Sequence, residues 1–222
     1  KVLNDAGVDD VLRRNLDELE LVGKNIDEIK KAGGYKAWKI SNAGGGLRNT
    51  IKYVDNYKVT STGRIAEFVS ESGDVLGTLF KQSKNGKVSY SFKYKTSSGN
   101  VKTLNKLEAE IYDDFIEFDF NVPSELKGQG ISSVVFDDAI KYYDAKNLPY
   151  KGIRGRWEGA DPKYTDGISD NFKAYKEARK ANKTETEAAF ETWTGKQANK
   201  AGFTKATVTT DDDILILVEF IK

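Results

Sequence analysis

The sequence predicts an α+β domain, a mixed β-sheet flanked by helices, with a small helical segment in front of it. Three observations lead to this prediction. Short alternating runs separated by turn residues occupy about residues 50 to 122. A strand, a glycine loop and a helix then follow one another from Phe115 to Tyr143. Beyond them come one more strand, further helical segments and a closing pair of strands, which is the element order of a mixed sheet.

The composition excludes several kinds of chemistry. The 222 residues contain no Cys, no His and no Met. The chain therefore has no disulfide, no thiol nucleophile, no Ser-His-Asp triad and no zinc site of the usual kind. Any catalysis must use carboxylates, Tyr, Lys, hydroxyls or backbone groups. With 35 basic and 34 acidic residues, the net charge of +1 gives no general attraction to nucleic acid or to an anionic membrane.

The first 46 residues form a separate segment in this interpretation. Residues 1 to about 40 have helical spacing, with Val11, Leu12, Leu16 and Leu19 on one side. The glycine-rich run 41–46 predicts a linker, so we expect a leader at 1–46 and an α/β domain at 47–222. A chain without Met that begins at Lys1 is expected to be cut from a longer protein.

The strand region predicts meandering antiparallel pairs. Residues 65–69 and 75–80 flank a Ser72-Gly73-Asp74 turn, and Val88–Tyr94 alternates after an Asn85-Gly86 turn signal. Further along, Tyr150–Trp157 predicts a strand, and about 169 to 199 predicts helices. The three aspartates 211–213 lie between two apolar runs, which favours a hairpin turn over a metal cluster.

The stretch from Lys127 to Ser132 has the character of an anion-binding loop. Two glycines stand just before the helix-like run, and an extended run precedes them. Glycine lets the backbone approach a ligand without an intervening side chain. A strand, a glycine loop and a helix N-terminus together present backbone N–H groups to phosphate.

This loop resembles the pyrophosphate loop of the GNAT N-acetyltransferases. In that family the loop carries Arg or Gln, then Gly, then Gly or Ala; here Lys127, Gly130 and Ser132 stand at those positions. The order of elements from about residue 60 to 222 is also similar to the family's, including a Gly202-Phe203 step before the last two strands. The resemblance implies acetyl-CoA as cofactor. The implied contacts are Lys127, Gly128, Gln129, Gly130, Ile131, Ser132, Ser133 and, from the next helix, Asn171.

The same resemblance implies a carboxylate as general base. Phe115, Glu117 and Asp119 share one face of the strand before the loop, because side chains alternate along a strand. Glu117 is the first candidate and Asp119 the second. Glu158, at the end of the next strand, where the sheet is expected to open beside the loop, is the alternative.

One departure concerns the general acid. The family places a Tyr four residues before the Gly-Phe step, and here that position is Ala198. Either Tyr175 or Tyr164 supplies the proton, no acid is used, or the domain is a binding module that has lost the reaction.

The leader resembles the segment that precedes C-terminal toxin domains in bacterial polymorphic toxins. Residues 15–19 and 30–38 carry this resemblance. It implies a secreted or delivered effector that acts in the cytoplasm of a target cell, with a cognate immunity protein as partner. The acceptor is expected to be an amine; the near-neutral charge argues against nucleic acid, while an aminoacyl-tRNA acceptor stays open. A membrane partner is not expected. An NAD-consuming or ADP-ribosyl-transferring toxin is the alternative enzyme.

Overall fold

The computed structural model describes residues 50–70, 73–96, 98–159 and 167–222. The leader and linker predicted at 1–46 lie outside these ranges. The described strands are β1 (Thr50–Tyr53), β2 (Gly63–Val69), β3 (Val75–Lys84), β4 (Lys87–Lys95), β5 (Val101–Tyr112), β6 (Phe115–Phe120), β7 (Gly152–Glu158), β8 (Lys205–Asp211) and β9 (Leu215–Ile221). The helices are α1 (Ile131–Ala145), α2 (Asp170–Lys180), α3 (Glu185–Glu191) and α4 (Trp193–Lys200).

All nine described strands belong to one mixed sheet, which confirms the predicted α+β class. Its order is β1-β2-β3-β4-β5-β6-β7-β9-β8. The first six strands form an antiparallel meander. β6 and β7 are parallel because α1 crosses between them, and β9 lies between β7 and β8, antiparallel to both. The last strand of the chain thus enters the interior of the sheet.

The alternation of the sequence explains the strands. On β4 the even-numbered residues from Val88 to Tyr94 are buried, and the odd-numbered ones are half-buried or exposed. Asn85 and Gly86 have φ of 52° and 80°, as a two-residue turn with left-handed residues requires, and they join β3 to β4. The three aspartates end β8 and form the turn into β9. The predicted hairpins are therefore confirmed.

All four described helices cover the same face of the sheet. Phe136 of α1 stacks on Phe118 at 4.3 Å between ring centroids, and Tyr175 of α2 contacts Trp157 at 6.0 Å. By strand register, Phe118 and Trp157 point to one side. No described helix has the length and apolar character needed to cross a membrane.

A glycine ends α4. At the end of α4, Gly202 has φ of 88°, its N–H donates to the carbonyl of Asn199, and the N–H of Phe203 donates to that of Ala198. This is the Schellman arrangement, which glycine favours because it has no Cβ. Phe203 is then fully buried, so the Gly-Phe step turns the chain into the core and toward β8.

Candidate functional site

The sheet opens between β6 and β7. These strands pair only from Phe115 to Glu117 on one side and from Gly152 to Arg154 on the other. β6 then continues to Phe120 and β7 to Glu158, each paired with its outer neighbour alone. The facing edges of the two strands therefore carry backbone groups that no described strand pairs with, and such groups can bind an extended ligand.

The glycine loop lies at the end of β6, directly before α1. A short 3-10 turn at Ser124–Leu126 follows the strand. Gly128 and Gly130 both have left-handed backbones, with φ of 78° and 80°. A Cβ placed on Gly130 would meet no described atom within 4 Å, so the space beside the loop is open. Lys127, Gly128 and Gly130 are exposed, while Ser132 and Ser133 are half-buried.

The N-terminus of α1 is uncapped by any described side chain. Gly130 is its N-cap residue, and its first turn holds no acidic residue. In contrast, α2 is capped by Ser169, α3 by a Thr184–Glu187 capping box and α4 by Thr192. The first N–H groups of a helix have no intrahelical acceptor, and the helix dipole places partial positive charge there. The loop thus combines left-handed glycine backbones, open space and partial positive charge, which together can accept an anionic group.

Two loop side chains already have partners. Lys127 Nζ lies 2.6 Å from Asp170 Oδ2, with the side chains 55% and 70% exposed. Gln129 Nε2 donates to the carbonyl of Glu125. An exposed ion pair is worth less than about 1 kcal/mol, so an anionic ligand can compete with Asp170 for Lys127.

The candidate bases differ sharply in their surroundings. Glu117 Oε1 accepts from Arg154 Nη1 at 3.2 Å, and Arg154 also donates to Glu219 at 3.0 Å. The guanidinium stacks over the Phe115 ring, 4.6 Å from its centroid. Burial by itself would lower the Arg154 pKa, but hydrogen bonds to Glu219 and Glu117 outweigh it, so the pKa is raised. The Arg154 side chain is itself largely enclosed, with 17% exposed.

Asp119 and Glu158 are more open to solvent. Asp119 is exposed and lies opposite Glu108 of β5. The Glu158 side chain is 66% exposed and lies 3.5 Å from Arg156 Nε. Glu117 and Asp119 share the sheet face away from the helices, as the alternation predicts, and the strand register places Glu158 on the same face. Glu117 alone lies at the last paired position of β6 and β7, where the opening begins.

Asn171 is used within the fold. Its Oδ1 accepts from the backbone N–H of Trp193 at 2.9 Å and of Thr194 at 3.3 Å. Its Nδ2 donates to Thr194 Oγ1 at 2.9 Å. Asn171 therefore holds the start of α4, and its role as a cofactor contact stays a prediction.

Tyr175, offered as a general acid, is not brought to the opening. Tyr175 is buried, and its hydroxyl donates to Asp211 Oδ2 at 2.9 Å on the far strand β8. Burial and that carboxylate raise its pKa. Tyr164 lies outside the described residues, and Ala198 is fully buried. Trp193 packs edge-on to Phe120 and Phe136, as the predicted core anchor.

The sequence reasoning missed a buried ionic cluster. Lys81 on β3 is 0% exposed and lies 2.7 Å from Asp138 Oδ2 of α1. Tyr90 Oη donates to the same oxygen at 2.6 Å. Burial lowers the pKa of Lys81 to about 8 and raises that of Asp138 to about 7. The signal was present, because Lys81 falls two residues after buried Leu79 on the inward face of an alternating strand.

Comparisons of the chain with protein-family models, with curated proteins and with solved structures find no match.

Proposed function

We propose that the domain is a GNAT-like acyltransferase that moves an acyl group from acetyl-CoA, or a related CoA ester, to an amine. One observation carries this proposal. The sheet opens between two parallel strands directly beside a glycine loop that leads into an uncapped helix. The loop supports pyrophosphate binding, and the opening offers unpaired strand edges to the amide-containing arm of a CoA ester.

The observed element order supports the same proposal. After β6 come the glycine loop, α1, the parallel strand β7, helices, the Gly202-Phe203 step and the last two strands. This is the order that the family resemblance implies. β7 is hydrogen-bonded to β9 along its whole length, so β7 stays in the sheet where it diverges from β6.

The chain's own residues have distinct roles in this proposal. The N–H groups of Gly128 and of Gly130 to Ser133 bind the pyrophosphate, while the Gln129 N–H donates to the Leu126 carbonyl. Lys127 adds a charge once Asp170 is displaced. Glu117 accepts the proton that the acceptor amine loses as its nitrogen attacks the acyl carbon. Acetyl-CoA supplies the thioester that makes this acyl group transferable. With Ala198 in place of a Tyr, solvent supplies the proton to the departing thiolate.

A second candidate is an acyl-CoA-binding module that does not catalyse transfer. Two observations favour it. Glu117 is held in an ion pair with Arg154, and Tyr175, the described tyrosine offered as a general acid, donates its hydroxyl to Asp211 on β8 instead. This candidate predicts CoA binding without turnover.

The biological setting proposed for the domain is that of a delivered bacterial toxin or effector with an immunity partner. Its support is the sequence of the leader, residues 15–19 and 30–38, which lie outside the described residues.

The proposal is tested by calorimetric titration of the whole chain with acetyl-CoA and, in parallel, with NAD. Micromolar binding of acetyl-CoA alone supports the loop assignment. Binding of NAD alone would replace the proposal with the NAD-consuming alternative. Release of CoA in the presence of amines then separates the enzyme from the binding module. Because the chain has no Cys, a thiol reagent detects released CoA without background from the protein.

A further inference from the structure

The Lys81 ammonium joins three separate parts of the fold. It donates to the Val59 carbonyl in the β1–β2 loop and to Asp138 Oδ2 on α1 at 2.7 Å. Tyr57 Oη lies 3.5 Å away as a third acceptor. An ammonium has three donors, so its hydrogen-bonding capacity is met although it is fully buried on β3.

Aromatic rings surround this ammonium. The ring centroids of Tyr57, Tyr90 and Tyr142 lie 5.5, 6.0 and 5.6 Å from Lys81 Nζ. Tyr90 also donates its hydroxyl to Asp138. The surrounding groups come from the β1–β2 loop, β4 and α1, so Lys81 Nζ and Asp138 Oδ2 are each held by contacts from more than one element.

Net stability does not explain such a cluster. Removing two charges from water costs about as much as their attraction returns, and an apolar pair of similar volume often serves stability as well or better. The best-attested benefit of a buried polar pair is that it fixes one arrangement among several. Tyr143 also donates its hydroxyl to the Ala109 carbonyl of β5 at 2.7 Å, but it lies farther along α1 from the glycine loop. Most other α1 residues that face the sheet are apolar, and apolar contacts are non-directional.

The position of Asp138 connects the pair to the glycine loop. Asp138 comes seven residues after Ile131, so it lies two helical turns, about 10 Å, from the start of α1. A helix is stiff over that length. A rotation or slide of α1 at Asp138 therefore moves the N–H groups that follow Gly130 by a similar amount.

We propose that the Lys81–Asp138 pair is a positioning device that fixes the rotation and register of α1 on the sheet, and thereby the direction of the glycine loop's N–H groups. Both are positioning residues, since the pair is buried away from the loop. The inference deepens the proposed function and relies on it for the ligand readout.

The test compares wild type with Lys81→Met, Asp138→Leu and the double variant. Each single variant leaves a buried ionisable group without its partner and is expected to be strongly destabilised. The double variant is expected to recover most of the stability in urea unfolding. It should nevertheless bind acetyl-CoA at least about tenfold more weakly, because small misplacements of binding groups are costly. Val218→Ala, a core change on β9, is the matched control and should leave affinity unchanged.

A second readout does not need the ligand. Residual dipolar couplings of the α1 amides report the orientation of the helix relative to the sheet, and the double variant should differ from wild type where Val218→Ala does not. A double variant with wild-type affinity and wild-type couplings overturns the inference. If wild type itself does not bind acetyl-CoA, the proposed function fails, and the couplings alone decide whether the pair positions α1.

Discussion

Glu117 Oε1 and Arg154 Nη1 lie 3.2 Å apart at the last position where β6 and β7 are paired. The contact lies on the sheet face away from the helices, at the point where β6 and β7 begin to diverge. Arg154 also binds Glu219, so one guanidinium holds two carboxylates from strands on either side of β7. This arrangement fixes the position of Glu117 while leaving Asp119 and Glu158 exposed.

Glu117→Gln is expected to lower turnover at least about a hundredfold, because a general base contributes that much or more. Affinity for acetyl-CoA should change less than about twofold, since Gln can still accept from Arg154. The measurements are CoA release with lysine peptides, polyamines and aminoacyl-tRNA as acceptors, and calorimetry. Asp119→Asn is the matched control, with near wild-type turnover expected. Loss of turnover in Asp119→Asn or Glu158→Gln, but not in Glu117→Gln, would move the base to that residue.

Gly130→Ala is expected to weaken acetyl-CoA binding and to destabilise the fold by about 1 kcal/mol, because its φ of 80° disfavours a Cβ. Gly86→Ala is the matched control. Gly86 has the same φ, its Cβ also meets nothing within 4 Å, and it lies in the β3–β4 turn. Calorimetry and urea unfolding of both variants separate backbone strain from ligand contact.

A methyl group at Gly130 can be too small to block a ligand, so a second variant with a larger side chain decides whether acetyl-CoA binds at this loop. Gly130→Trp fills the open space and should abolish binding at a similar cost in backbone strain. If Gly130→Trp binds normally, the loop assignment is wrong.

Asn171→Ala is expected to destabilise the domain by about 1–2 kcal/mol, because it removes the side chain that holds the start of α4. Thr192→Ala is the control, since Thr192 caps the same helix through Gly195 N–H. Unfolding and calorimetry are measured on both. Equal effects on acetyl-CoA affinity mean that Asn171 acts through α4. A weaker affinity in Asn171→Ala alone supports direct contact with the cofactor.

The buried Asp138 carboxyl is expected to make the protein less stable as pH rises toward 7. Burial raises its pKa from 3.8 to about 7, although Lys141 opposes the rise. Between these values the native state holds a proton that the unfolded state has lost. The carboxyl's contribution to stability is therefore full below about pH 4 and is lost as pH rises through 7.

Urea unfolding of wild type and Asp138→Asn from pH 4 to 8 measures this contribution. The stability of wild type relative to the variant should fall as pH rises from 4 toward 7, because the native state then holds a proton that the unfolded state has lost. A difference that is constant over this range would show that the carboxyl is ionised throughout, held so by Lys81.

Local patterns were enough for much of the fold. Val88 to Tyr94 alternates so cleanly that both the strand and its buried face follow from the sequence, and Asn85-Gly86 specifies the turn before it. The Gly202-Phe203 step likewise marks the end of a helix and the return to the core. These features depend on backbone preferences and burial within a few residues, which the sequence expresses directly.

The candidate site was predictable only in part. The glycine loop and the face shared by Glu117 and Asp119 follow from local spacing. The pairing of Glu117 with Arg154 does not, because it depends on the register of two parallel strands 37 residues apart. Asn171 could not be assigned to the start of α4 either, since its partners are more than 20 residues away.

The sequence by itself determined the α+β class, the hairpins and the strand–loop–helix segment, because alternation, turn residues and glycine act over short distances. Only the tertiary structure decided that β9 enters between β7 and β8, that β6 and β7 diverge after Glu117, and that Lys81 is buried against Asp138. Each of these depends on which distant segments pack together. That choice is made by the total burial and hydrogen bonding of the whole sheet, which no local pattern contains.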